Sequence, residues 1–268
     1  MNEERLTSAD AAEFLNVGVS TIKRWADEGI VPCVRTAGGH RRFERSALIE
    51  HSARALSLNL SQAETNRWMD TVLARGSAHE VVSALHSARH RLGAWWRVAR
   101  ELGVVLTELG RRWSEGELTV VQEHSASERL TRGLNMVIES LPSRPEAPHM
   151  ILLTAEGDEH TLGLSLVELC AREAGWMSQW SGRGTPFEEL DLLLSAGDIE
   201  LVGVSASPFA QNAESLAEQC ARLEAITEAH GVTLVLGGGG SWPNLPKHGM
   251  RIRSFEALNR LLSQAGEP

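Results

Sequence analysis

Three short apolar runs constrain the C-terminal half more than any other feature: residues 150–154, 201–204 and 232–236. Each is too short to be a buried helix. Each is apolar along its whole length rather than at alternate positions. Such runs suit strands buried on both faces of a parallel sheet. The stretches between them are helix-compatible, so strands alternate with helices, and the expected product is a doubly wound α/β domain.

That texture starts abruptly. Residues 76–140 have few glycines and no proline. Val81, Val82, Leu85, Leu92, Trp96, Val98, Leu102, Val105, Leu106 and Leu109 recur there at spacings of three and four. This is the pattern of the buried face of a helix bundle. Arg100, Glu101, Arg111 and Arg112 read as solvated faces. The segment 141–148 carries three prolines and reads as a stiff, extended linker. Residues 51–75 read as a polar, helix-compatible connector. The expected domains are therefore 1–75, 76–141 and 142–268.

The N-terminal residues form a third texture. Thr7 or Ser8 can cap a helix over 9–15, and a turn follows at 16–19. Ser20 is expected to cap a second helix over 21–28, stopped by Gly29. Two short helices around a glycine-containing turn form a helix-turn-helix pattern. Ser20, Thr21, Lys23 and Arg24 lie near the start of the second helix, where a recognition helix meets base edges. Gly38 and Gly39 suit a hairpin tip, followed by His40, Arg41 and Arg42. Arginines here suit phosphate contacts. Trp25 and Phe43 read as core.

The net charge of −9 is not that of a typical nucleic-acid binder. Locally, however, Arg35, Arg41, Arg42 and Arg45 face only Glu44, making a basic wing on an acidic body. Cys33, Cys170 and Cys220 are far apart and form no CxxC pair, which points to a reducing cytoplasm rather than to disulfides or zinc. The polar, acidic N-terminus is unlike a secretory signal, and no apolar run reaches the roughly 18 residues of a membrane span.

Chemistry-bearing residues gather after the first apolar run. Asp158 and His160 follow it directly, with Gly163 opening the next helix. Ligands of doubly wound folds sit outside the carboxyl ends of the strands. A neutral imidazole can ligate a metal while a carboxylate accepts its other N–H. The other two runs end at Ser205-Ala206-Ser207 and at Gly237-Gly238-Gly239-Gly240. In the helical region Gly116 suggests a break, with a new helix entered near Glu117. Val120, Glu123 and His124 then share one helix face, and Val121 falls off it.

Several of these strings resemble known families. Ala11-Ala12-Glu13-Phe14-Leu15, Ser20-Thr21-Ile22-Lys23-Arg24-Trp25 and Gly38-Gly39-His40-Arg41-Arg42-Phe43 resemble the MerR-type winged helix-turn-helix head. Asp158-x-His160-x-x-Gly163, with the Ser205 and Gly238-Gly239 strand ends, resembles the motif of cobalamin domains whose histidine replaces dimethylbenzimidazole below cobalt. Trp113, nine residues, then Glu123-His124 resembles the four-helix cap of the CarH/LitR family of cobalamin photoreceptors.

Together these resemblances imply a multidomain α and α/β chain. Its parts would be a MerR-type head, a four-helix-bundle cap and a flavodoxin-like, doubly wound cobalamin-binding domain. They imply adenosylcobalamin as cofactor, with His160 below cobalt and Trp113 over the adenosyl group. Val120, Glu123 and His124 would line the same pocket, and Ser205, Ser207, Gly238 and Gly239 would lie along the nucleotide tail. They also imply a non-enzymatic repressor that holds operator DNA as a homotetramer in the dark and releases it when light breaks the cobalt–carbon bond. Two residues depart from the pattern. Ser114 stands where relatives often carry a histidine able to bind cobalt from above, and Ser207 replaces the usual third residue of its motif. A regulator with another ligand, or a corrinoid methyltransferase module, are the alternative readings.

Overall fold

The computed structural model describes residues 5–15, 17–27, 29–36, 38–48, 51, 62–208, 212–243 and 246–265. Asn16, Glu28 and Ala37 of the expected head elements, and residues 52–61 of the expected connector, lie outside the described residues. The chain forms two units, Met1–Arg67 and Trp68–Pro268.

The first unit contains β1 (Arg5–Leu6), α1 (Ser8–Phe14), α2 (Val19–Asp27), β2 (Val34–Arg35) and β3 (Arg41–Glu44). Thr7 caps α1 by a reciprocal box: its hydroxyl accepts from the Asp10 N–H at 3.3 Å, and the Asp10 carboxylate accepts from the Thr7 N–H at 3.0 Å. Ser20 is not the cap of α2. The Gly18 carbonyl already accepts from Ile22 at 3.2 Å, so the helix starts before Ser20 and places it in the first turn. Gly39 turns the β2–β3 hairpin at φ +77°, with Thr36 N–H bonded to the His40 carbonyl at 2.9 Å. The sheet is antiparallel, ordered β1-β3-β2. Ala11, Ala12, Ile22, Val31, Phe43 and Leu48 form its core, with Trp25 packed alongside.

Four helices come next: α3 (Gln62–Leu73), which runs across the division at Arg67, then α4 (Ala78–Leu92), α5 (Trp95–Ser114) and α6 (Val120–Ser140) in the second unit. The first of them falls within the stretch expected as a connector, and its Trp68, Met69 and Val72 are buried in the common core. The three-and-four pattern holds: Val81, Leu85, Val98, Leu102, Val105 and Leu109 are all buried. Glu101 is a correction. It is 6% exposed, because it accepts from the Trp68 indole N–H at 2.6 Å and from Arg91 at 2.6 and 2.8 Å. The helix α6 begins three residues later than expected, where Thr119 and Gln122 form a capping box. The segment after α6 is not fully extended. Ala147 N–H bonds the Arg144 carbonyl at 3.1 Å in a tight turn, and Leu141 packs on the core.

The rest of this unit comprises β4 (His149–Thr154), α7 (Leu162–Glu173), β5 (Met177–Gly182), α8 (Glu188–Leu194), β6 (Leu201–Ser205), α9 (Ala213–His230), β7 (Thr233–Gly237), β8 (Met250–Arg251) and α10 (Phe255–Ala265). The sheet is parallel, ordered β5-β4-β6-β7-β8. Alternate residues of β4, β6 and β7 serve two cores. Met150 and Leu152 join α7, α10 and the bundle, whereas Ile151 and Leu153 join α8 and α9. This is the doubly wound arrangement, and its strand order reverses at β4. The bundle is fastened to the sheet domain by Glu173 at the end of α7. Its carboxylate accepts the first N–H groups of α5, from Trp95 at 2.7 Å and Trp96 at 3.3 Å, and pairs with Arg89 at 3.0 Å. A carboxylate at a helix N-terminus answers both the orphan donors and the helix dipole.

Candidate functional site

The switch point of the sheet carries the densest polar constellation. Thr154, Ser205 and Gly237 are in register at the carboxyl ends of β4, β6 and β7. The β4–α7 loop leaves this edge and turns at Gly157, φ +80°. Asp158 is 2% exposed and acts as a hub. It accepts from the His160 backbone N–H at 3.1 Å, lies 2.8 Å from His160 Nδ1, and accepts from the Ser207 hydroxyl at 3.0 Å and from the Ser207 N–H. The Ser207 hydroxyl is also 3.1 Å from His160 Nδ1. The His160 ring is 58% exposed. With Nδ1–H given to Asp158, the lone pair of a neutral ring lies on Nε2, free to ligate a metal.

The glycines around this edge differ in what they do. A Cβ on Gly238, already at φ +82°, would lie 2.2 Å from the Ala206 carbonyl, and one on Gly239 would lie 2.7 Å from Pro208. The chain's own close packing therefore dictates both. At Gly163 the nearest atom to a Cβ would be Ser205 Oγ at 3.7 Å, and at Gly237 the Val204 carbonyl at 4.0 Å. Packing leaves those two positions open.

The predicted cap residues flank the α5–α6 turn. Trp113 is 42% and Val120 52% exposed, while Val121, off their face, is 73% exposed. Glu123 accepts from the Ser127 hydroxyl at 2.7 Å and lies 3.6 Å from the exposed His124. Ser114 turns its hydroxyl onto the Arg111 carbonyl at 2.8 Å. The turn is braced by charge. Arg111 grips Glu108 with two bonds of 2.8 and 2.9 Å and reaches Glu117 at 3.2 Å, and Arg112 adds 2.7 Å to Glu108. The Arg111 hydrogen bond chiefly, helped by Arg112, holds the Glu108 carboxyl far below its ordinary value, at about 2.

In the head, Lys23, His40, Arg41 and Arg42 share a groove of about 490 Å³ with Thr7, Ser8 and Val19. Ser20 and Arg24 are exposed on α2, and Thr21 is half-buried; none of the three lines that groove. Arg41 and Arg35 both bind Asp27, Arg35 at 3.2 Å, and the Arg41 side chain is only 17% exposed. Arg41 is thus a strut between α2 and the wing. Sequence reasoning missed Asp27, whose partners lie eight and fourteen residues away.

Comparison with known proteins bears on both units. The Helix-turn-helix domain family matches residues 5–54, and the B12 binding domain family matches residues 71–138. The chain is 24% identical over 250 residues to the HTH-type transcriptional repressor CarH of Myxococcus xanthus, covering 80% of this chain and 82% of that protein. The chain therefore joins a helix-turn-helix domain to a B12 binding domain and is similar to that repressor over most of its length. It is also 24% identical over 129 residues to dimethylamine corrinoid protein 3 of Methanosarcina acetivorans, a match covering 47% of this chain and 61% of that protein. The solved monomethylamine corrinoid protein of Methanosarcina barkeri has the same fold over 74% of this chain and 96% of its own, with a TM-score of 0.55 at 16% identity. Among the described residues, no helix is long and apolar enough to cross a membrane.

Proposed function

We propose that the chain is a light-responsive transcriptional repressor that holds adenosylcobalamin and binds operator DNA in the dark as a tetramer. One observation carries the reading. A buried Asp158 orients the exposed ring of His160 at the switch point, in a chain that also has a helix-turn-helix domain. The donor set is a single imidazole, which suits a metal that arrives with its equatorial ligands in place, as cobalt does in a corrinoid. The open positions at Gly163 and Gly237 suit the close approach of a bulky ligand to the backbone.

His160 would take the lower face of cobalt, with Asp158 and Ser207 fixing its tautomer. Ser205, Gly163, Gly238 and Gly239 would line the path of the nucleotide tail. On the upper side the Trp113 indole and Val120 would cover an apolar ligand face, and Glu123 would accept from ribose hydroxyls, with His124 beside it. Adenosylcobalamin supplies a cobalt–carbon bond that visible light cleaves. Trp113 and Val120 would favour one state of the protein only while they covered such a group, which would give the unequal binding that any switch needs. In the head, Lys23, His40 and Arg42 would grip the DNA backbone, Ser20, Thr21 and Arg24 would meet base edges, and Arg41 would hold the wing to α2.

The test is a DNA mobility shift with the adenosylcobalamin-loaded protein, kept dark or exposed to green light. Retardation in the dark and release after light support the proposal, whereas equal retardation overturns it. Ser114 favours a second reading, a cobalamin regulator without a light response, because its hydroxyl is turned onto its own helix. Dark arms with methyl- and hydroxocobalamin separate the two. Corrinoid-dependent methyl transfer by the purified chain would favour the methyltransferase-module reading instead.

A further inference from the structure

Helix α9 reaches across the sheet edge and holds the loop that carries His160. The Gln219 carboxamide, 4% exposed, binds both backbone groups of Glu156. Glu156 N–H donates to Gln219 Oε1 at 2.9 Å, and Gln219 Nε2 donates to the Glu156 carbonyl at 3.4 Å. One helical turn on, Arg222 grips the Glu156 carboxylate with two bonds of 2.7 and 3.0 Å. Arg222 also pairs with Glu188 and lies 5.4 Å over the Phe187 ring, and the Phe187 N–H donates to Glu156 at 3.3 Å. Glu156 is thus fixed by backbone and side chain together. Two residues on stands Asp158, whose own N–H closes a turn onto Ala155 at 3.0 Å.

The obvious function of these contacts is to cover a loop. The geometry points to more. Two bonds to one residue's backbone, one on each of the peptide units that flank it, plus a bidentate ion pair, fix the rotation of the loop as well as its place. That rotation decides where Asp158 can meet His160. We infer that Gln219 and Arg222 are positioning residues that set how firmly His160 is presented to cobalt, and this rests on reading His160 as the lower ligand. Partners that orient a metal-ligating histidine change metal affinity about 10–100-fold when removed. Gln219 and Arg222 act one step further out, through Glu156.

The experiment uses the full chain loaded with methylcobalamin in the dark. Red colour reports a nitrogen below cobalt but not its source, since the cofactor's own benzimidazole also gives it. The source is read with cobalt(II) cobalamin in protein carrying nitrogen-15 histidine, whose electron paramagnetic resonance signal splits as a doublet with histidine below cobalt and as a triplet with benzimidazole. Gln219→Leu and Arg222→Met are expected to lower the ratio of histidine-bound to histidine-free form about tenfold or more, with Arg222→Lys recovering part of it. Glu156→Gln attacks the same contact from the loop side and serves if Gln219→Leu does not fold. A wild type with the histidine doublet and Gln219→Leu and Glu156→Gln variants with an equal one overturn the positioning role. A wild type with as little histidine doublet as His160→Ala overturns the lower-ligand reading itself, and the positioning role with it.

Discussion

Asp158 holds His160 at two points, by its backbone N–H at 3.1 Å and at ring atom Nδ1 at 2.8 Å. A buried carboxylate spent this way orients the ring and selects its tautomer. Asp158→Asn puts an amide N–H against the same donors and cannot satisfy them all. Cobalamin affinity is expected to fall about 10–100-fold, measured by equilibrium dialysis with methylcobalamin. Unchanged affinity would remove Asp158 from the site.

Glu101 is buried in the bundle against Trp68, and the exposed Arg91 closes over it from the surface. Glu101→Gln keeps the shape and weakens two charge-assisted bonds. The loss expected is about 1–3 kcal/mol, read as a lower midpoint in urea denaturation. Trp68→Phe, which leaves the carboxylate without one donor, should lower the midpoint as well.

The brace at Arg111 predicts a pH dependence. Glu108 has its folded pKa depressed from 4.5 to about 2. Its contribution is therefore present above 4.5 and lost as pH falls through about 2. Wild type should exceed Glu108→Gln in stability at neutral pH, and the gap should close during an acid titration between those values. A gap that stays constant across that window contradicts the brace.

Two glycines inside helices predict opposite signs. A Cβ on Gly133 of α6 would sit 2.5 Å from Val81 Cγ1, a stiff β-branched neighbour, whereas one on Gly110 of α5 meets nothing within 4 Å. Alanine gains about 1 kcal/mol of helix propensity at either position. At Gly133 overpacking costs about 1–3 kcal/mol and wins. Gly110→Ala should raise the thermal midpoint and Gly133→Ala should lower it.

In the head, Lys23 is exposed and Arg41 is held by Asp27. Lys23→Ala should reduce the slope of log affinity against log salt by about 1. Arg41→Ala should instead lower the thermal stability of the head. Fluorescence anisotropy across a salt series and a melt of each variant separate the two effects.

Much of this was legible because it is local or repeats along the chain. Strands β4, β6 and β7 are apolar on both faces, so their runs stand out, and Asp158 and His160 follow one of them directly. Strand β5 sits at the sheet edge with Gln179 and Trp180 exposed, and β8 is two residues long, so neither makes an apolar run. Helix α3 contributes few core residues and reads as a polar connector. Glu101 reads as solvated because its partner Trp68 lies 33 residues away. Ser207 was visible as a departure from a motif, but its bond to Asp158 crosses 49 residues and no spacing reveals it. Gln219 and Arg222 reach Glu156 across more than sixty residues and left no local signal at all.

The Glu173 carboxylate links two rods that lie side by side. Helix α7 starts two residues after His160, runs about 18 Å at 1.5 Å per residue, and finishes at Glu173. There it fastens the first turn of α5, which packs along α7, is about 30 Å long and ends beside Trp113. The imidazole and the indole are therefore carried by two helices tied at a single carboxylate, with only a residue or two between each ring and its rod.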